Sequence, residues 1–126
     1  MSVVWYTKTH LWIRAAGGEM VVGMTDFAQE QMSDVTFVEL PEVGDHILAE
    51  DEVMRIESIV SESDIYTPLT GTITAVNEKL LDQPDLINRD PMGEGWLFRL
   101  RPDGANDMGL FMDADTYDAM LSGDPE

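Results

Sequence analysis

Turn residues recur along this chain so closely that no single element can grow long. Gly17-Gly18, Pro41-x-x-Gly44, Pro68-x-x-Gly71 and Gly93-x-Gly95 divide it into short pieces. At each of them glycine's tolerance of positive φ, or proline's fixed φ, favours reversal over extension. The pieces between are rich in β-branched and aromatic residues, so the pattern predicts many short strands with small helices at the ends. Residues 5–24 read as a hairpin in which His10-Leu11-Trp12-Ile13-Arg14 and Met20-Val21-Val22-Gly23-Met24 flank the glycine pair. Residues 35–40 form a strand that Pro41 ends. Residues 53–58 and 63–67 form two more, and the four residues between them, Ile59-Val60-Ser61-Glu62, are short enough for a hairpin tip. Residues 72–76 alternate as a strand does, and Trp96, Phe98 and Leu100 share one face of a last one.

Helical signals are brief. Thr25-Asp26 is placed to cap a helix reaching Met32, with Gln29 completing a capping box from Asp26. Residues 77–81 and 84–88 read as single helical turns, the first capped by Asn77. Asp113 and Asp115 suit the start of a C-terminal helix on which Tyr117, Met120 and Leu121 share a face. Trp12, Phe37, Ile73 and Phe98 are the expected large contributors to the core, and Met20, Met24, Met32, Met54 and Met120 fill gaps around them.

The composition narrows what such a domain does. A chain of 126 residues suits one core. No apolar run approaches the roughly 20 residues of a membrane span, and the residues around Trp5, Lys8 and Trp12 lack the layout of a signal peptide. A cytoplasmic protein is expected. Cysteine is absent, which removes thiol nucleophiles, disulfides and thiolate metal sites. Seven Lys and Arg against 25 Asp and Glu give a net charge of −18, which disfavours nucleic acid and anionic membranes and suits basic partner surfaces. His10 and His46 are the only histidines, without the spacing of a metal site; His10 reads as structural within a strand. Gly93, Glu94 and Gly95 have no following lysine and read as a turn, not a phosphate loop.

Longer motifs then become specific. Thr25-Asp26-Phe27-Ala28-Gln29, the run from Asp34-Val35-Thr36-Phe37 through Glu39-Leu40-Pro41-Glu42-Val43-Gly44-Asp45, Glu57-Ser58-Ile59, Ser63-Asp64-Ile65-Tyr66-Thr67-Pro68 and Gly71 all resemble the glycine cleavage H-protein family. So do Asn77-Glu78, Leu86-Ile87-Asn88, Asp90-Pro91-Met92-Gly93-Glu94-Gly95-Trp96-Leu97, and Tyr6-Thr7-Lys8 with His10-Leu11-Trp12 at the start. The resemblance runs in order from residue 5 to residue 121. It implies a mainly β barrel-sandwich hybrid like lipoyl and biotinyl carrier domains, with short helices and an added C-terminal helix. Residues 1–126 then form one domain, its core over 5–102 and its last helix over 113–121. The Pro-x-x-Gly turn repeated on either side of the hairpin tip fits the pseudo-symmetry of that fold.

The resemblance also implies a role and its partners. H-proteins carry lipoate on a hairpin lysine and serve glycine decarboxylase, the aminomethyltransferase and lipoamide dehydrogenase, after modification by a lipoyl ligase. They are not themselves catalysts, because the lipoamide arm holds the chemistry. The family's tip reads Glu-Ser-Val-Lys-Ala-Ala-Ser. Here it reads Glu57-Ser58-Ile59-Val60-Ser61-Glu62-Ser63, so Val60 stands at the lysine position and no lipoyl cofactor is expected. Lys8 and Lys79, the chain's only lysines, lie outside the hairpin.

Three functions follow from these residues. The first is an H-protein-like, non-lipoylated interaction or regulatory paralogue whose partner-binding residues are Glu57, Ile59, Val60, Glu62 and Asp64. The second is an ordinary lipoyl and aminomethyl carrier whose lysine was deliberately substituted. Ser61 and Glu62 also depart from the family's Ala-Ala, which favours natural divergence. The third is an enzyme, for which no nucleophile, base and orienter are visible. Glu57 and Asp64, flanking the tip, read as solvated strand ends and not as a catalytic acid pair.

Overall fold

The computed structural model describes residues 4–104, 109 and 111–122. Nine strands form two antiparallel sheets among these residues. The chain opens with β1 (Val4–Tyr6), β2 (Leu11–Ala16) and β3 (Glu19–Met24). Gly17 and Gly18 join the last two with φ of +60° and +84°. A two-residue turn with both φ positive matches the twist of its strands, and two glycines adopt it without a Cβ clash.

Helix α1 (Asp26–Met32) follows, then β4 (Val35–Glu39), β5 (His46–Ile47), β6 (Glu52–Ser58), β7 (Glu62–Tyr66) and β8 (Gly71–Val76). Two single helical turns, α2 (Lys79–Asp82) and α3 (Leu86–Arg89), lead through a glycine loop to β9 (Phe98–Pro102) and finally α4 (Ala114–Leu121). The larger sheet has the order β1-β2-β3-β9-β8-β5 and the smaller the order β4-β6-β7. This is the mainly β architecture with small helices that the turn spacing predicts.

The core lies between the sheets. Ile13, Val22, Ile73, Phe98 and Leu100 of the larger sheet meet Val35, Val38, Met54, Ile56 and Ile65 of the smaller, and Leu80, Leu86, Ile87 and Leu97 close one end. Each such side chain contributes about 1.5–3 kcal/mol on burial. The first Pro-x-x-Gly turn docks on β8, the strand that follows the second. The Gly44 N–H donates to the Ile73 carbonyl and the Ile73 N–H to the Asp45 carbonyl, both at 2.8 Å.

Four local expectations need correction. Phe37 is not in the core but 50% exposed. A bulge between Val35 and Phe37 breaks strict alternation, so Val35 and Val38 turn inward and Phe37 outward. Thr25 caps α1 as expected, its hydroxyl accepting the Ala28 N–H at 3.2 Å, but the capping box from Asp26 does not form: the Gln29 side chain donates to the Asp26 carboxylate at 2.9 Å instead of reaching back to the backbone. Asn77 caps nothing with its side chain: its Nδ2 donates to the Glu94 and Trp96 carbonyls at 2.7 and 2.8 Å, tying the glycine loop down. His10 precedes β2 in a turn with φ of +69° and does not lie in the strand.

Trp12 is fully buried, yet it alternates with Leu11 and Ile13 and so lies on the other face of the sheet. It fits there because Gly23 stands opposite it in the register. A Cβ at that glycine would come within 2.5 Å of the Trp12 ring. The indole N–H donates to the Pro91 carbonyl at 2.9 Å, clamping the 91–95 loop over the sheet. Gly23→Ala is therefore expected to lower unfolding free energy by about 1–3 kcal/mol through overpacking. Urea denaturation followed by tryptophan fluorescence checks this, and unchanged stability would contradict the packing described.

Candidate functional site

The β6–β7 hairpin is built outward from a clamped root. The Thr67 N–H donates to the Asp51 carbonyl at 2.9 Å and the Glu50 N–H to the Thr67 carbonyl at 2.6 Å. From there Met54, Ile56 and Ile65 face the core. Arg55, Glu57, Glu62, Asp64 and Tyr66 face out, as period-two alternation requires. The ladder pairs Arg55 with Asp64, Ile56 with Ser63 and Glu57 with Glu62.

At the tip Ser58 organises the backbone. Its N–H donates to the Ser61 carbonyl at 2.8 Å, and its hydroxyl oxygen accepts the N–H groups of Val60 at 3.2 Å and Ser61 at 3.1 Å. The same hydroxyl donates to the Ser61 carbonyl at 3.2 Å. A serine side chain here replaces part of the missing ladder, which is why serine suits a turn entry. The Ile59 N–H donates to the Asp34 carbonyl at 3.0 Å, which fastens the tip to the approach of β4. With the frame fixed, the side chains of Ile59 and Val60 project into solvent, 63% and 67% exposed.

All five residues singled out in the sequence therefore share one hairpin end. Their electrostatics are uneven. Arg55 pairs with Asp64 at 3.3 Å, and that hydrogen bond, together with the charges of Asp64, Glu62 and Glu39, raises the arginine pKa further above its ordinary value. Glu57 and Glu62 stand directly opposite each other, a like-charge pair that no ladder favours by itself. The tip is an apolar pair on an acidic stem. It holds no acid, base or nucleophile arranged for chemistry, and among the described residues no group of three His, Cys, Asp or Glu could hold a metal.

Two features beside the hairpin were beyond sequence reasoning. One is a groove of about 320 Å³ between β7 and α1, with Leu11, Met24, Met32 and Ile65 as its apolar part and His10 and Asp64 among its polar lining. It joins residues far apart in the chain, and only the packing of α1 beside β7 assembles it. The other is the attachment of α4. The Tyr117 hydroxyl lies 2.8 Å from both His10 Nδ1 and Thr25 Oγ1, and its ring stacks on Tyr6 at 4.8 Å. Burial raises the Tyr117 pKa and lowers that of His10, whose ring also sits 4.6 Å from Phe27. His46 lies elsewhere, its Nε2 2.9 Å from Asp103.

Comparison with known proteins gives a consistent picture. Residues 4–124 match the family model described as glycine cleavage H-protein. A glycine cleavage system H protein of a Psychrobacter species is 47% identical over 117 residues, covering 92% of this chain and 93% of that protein. The one from Idiomarina loihiensis is 44% identical over 120 residues, covering 94% and 93%. The crystal structure of a glycine cleavage system H protein from Mycobacterium marinum superposes with a TM-score of 0.84 at 35% identity, over 95% of this chain and 96% of that one. No helix among the described residues is long and apolar enough to cross a membrane.

The His10 environment has a pH consequence with a definite sign. Its folded pKa is lowered, so the unfolded chain takes up the proton first as pH falls past the ordinary value of 6.5. Stability held in full above that pH is then lost as pH drops toward the folded pKa. The melting temperature is expected to fall between pH 8 and 5.5, and His10→Gln to flatten that slope. Parallel slopes for the two proteins would contradict it.

Proposed function

This chain belongs to the glycine cleavage H-protein family, and within that family we propose that it is a member unable to carry lipoate, acting through its surface instead of through a tether. H-proteins are carriers and not catalysts, so the chain is not an enzyme. The observation that carries the proposal is Val60. Lipoate is attached as an amide, which needs a primary amine, and the exposed residue at the tip offers an isopropyl group. The hydroxyl of Ser58 is engaged with the tip backbone. Lys8 lies between β1 and β2, and Lys79 opens α2, its Nζ 2.9 Å from Glu94. Lipoate therefore does not fit this hairpin.

The partners that go with this reading are those of the family: glycine decarboxylase, the aminomethyltransferase, lipoamide dehydrogenase or the lipoyl ligase, met in the cytoplasm. The paralogue occupies a carrier's docking site without delivering an arm, and so competes with or regulates the carrier. Ile59 and Val60 gain nothing from water where they stand. Buried by a partner, each contributes about 1.5–3 kcal/mol before the cost of ordering is subtracted. Glu57, Glu62 and Asp64 form an acidic rim that favours a basic partner surface and speeds encounter with it.

Incubation with lipoate, ATP and a lipoyl ligase is expected to leave the intact mass unchanged, whereas Val60→Lys gains one lipoyl group because the surrounding frame is intact. A mass increase in the unaltered protein would overturn the proposal. In a reconstituted glycine cleavage system this chain alone supports no turnover, and added in excess to a lipoylated H-protein it slows the reaction.

Docking through the tip has its own test. Ile59→Asp combined with Val60→Asp is expected to leave the melting temperature unchanged, since both side chains are exposed, and to remove partners in a pull-down from native extract. An identical partner set would leave the tip without a role.

A further inference from the structure

The outer face of the larger sheet gathers positive charge on a chain whose net charge is −18. Arg14 stands opposite Val21 in the register, and Val21 opposite Arg99, so one row crosses β2, β3 and β9 with a guanidinium at each end. Adjacent strands lie about 4.8 Å apart, which sets the two arginine backbones about 10 Å apart, within closing distance of two long side chains. Arg101, two residues beyond Arg99, shares the face, and its charge reaches Glu19. Three of the seven cations in the chain are thus on one side of one sheet.

Between the two arginines lies a groove of about 190 Å³ lined by Arg14, Val21, Trp96 and Arg99. Its cationic walls are already ordered. Arg14 rests over the Trp12 ring, 4.9 Å from the centroid, and its Nη1 donates to the Met92 carbonyl at 3.3 Å. Arg99 donates through Nε to Glu19 at 2.6 Å and through Nη2 to the Ala16 carbonyl at 3.0 Å. A guanidinium has five N–H donors, so both retain donors beyond these contacts. Glu19 offsets one positive charge; Arg14 and Arg101 remain.

We propose that this groove is a binding site for a small oxyanion carried on a flat apolar body, an aromatic carboxylate being the class that fits it. The guanidinium forks match a carboxylate in plane and in charge. The Trp96 indole and Val21 supply a face for the flat part. The volume is below the roughly 300–1,000 Å³ of sites for drug-sized molecules, so the ligand is small. The acidic remainder of the surface opposes any anion, but charges beyond about 8 Å are screened at physiological ionic strength, leaving the local arginines to decide. The site lies on the sheet that does not carry the β6–β7 hairpin and does not depend on whether lipoate is carried.

The test is a titration of the full chain with sodium benzoate, followed through the Trp96 indole N–H and the Arg14 and Arg99 Nε–H resonances. Sodium chloride at matched ionic strength is the control, and inorganic phosphate and benzamide are separate arms. Saturable shifts are expected with benzoate, with weaker binding of phosphate, which lacks the flat body, and of benzamide, which lacks the charge. Arg14→Gln removes a charged hydrogen-bond donor and is expected to weaken benzoate about tenfold. Trp96→Leu, which keeps both arginines, also weakens it and serves if Arg14→Gln fails to fold. Shifts that do not saturate, that sodium chloride reproduces, or that survive in both folded variants overturn the proposal. So does phosphate binding as tightly as benzoate, which would mark a site for any anion.

Discussion

Two short sets of backbone hydrogen bonds hold the chain in the shape on which everything else rests. At one, Ile73 exchanges bonds with Gly44 and Asp45; at the other, Thr67 exchanges them with Glu50 and Asp51. Between these points the chain leaves for the smaller sheet and comes back, so the β6–β7 hairpin is a loop whose feet are fixed at both ends. Thr67 is fully buried at the root, its hydroxyl donating to the Leu69 carbonyl at 2.8 Å. A buried backbone that satisfies itself in this way cannot slip by one residue without exposing the core face of β6 and β7. The tip is fastened separately, through the Ser58 hydroxyl and the bond from the Ile59 N–H to the Asp34 carbonyl.

The charge of the molecule is divided by the same architecture. The smaller sheet presents Glu39, Glu57, Glu62 and Asp64 with Arg55 among them, whereas the larger sheet presents Arg14, Arg99 and Arg101 with Glu19 among them. A net charge of −18 does not describe the larger sheet. Because screening confines each field to about 8 Å, the two sides act as electrostatically separate surfaces.

Much of the fold was legible because the punctuation is strong. Gly17-Gly18 can hardly be anything but a hairpin turn, and its two positive φ values follow from that. The short β-type runs set the strands, and the family resemblance set their layering, which family model and solved relative both support. The failures share one cause. Local pattern misleads at Phe37, Asn77 and His10, where something distant or irregular decides: a bulge opposite β6, the carbonyls of Glu94 and Trp96, and a turn of positive φ whose carbonyl accepts the Thr25 N–H.

By itself the sequence determined the turns, the strand-rich class, the family and the absence of an amine at residue 60, because these depend on residue identity and near-neighbour spacing. The tertiary structure alone decided which side chains meet. It put Trp12 beneath the Pro91 loop on the outer face, brought Thr25, His10 and Tyr117 to a single hydroxyl, and aligned Arg14 and Arg99 across a strand whose own residues carry no hint of either. Sheet register and helix docking fix those meetings through contacts spanning most of the chain, and no local window of residues contains them.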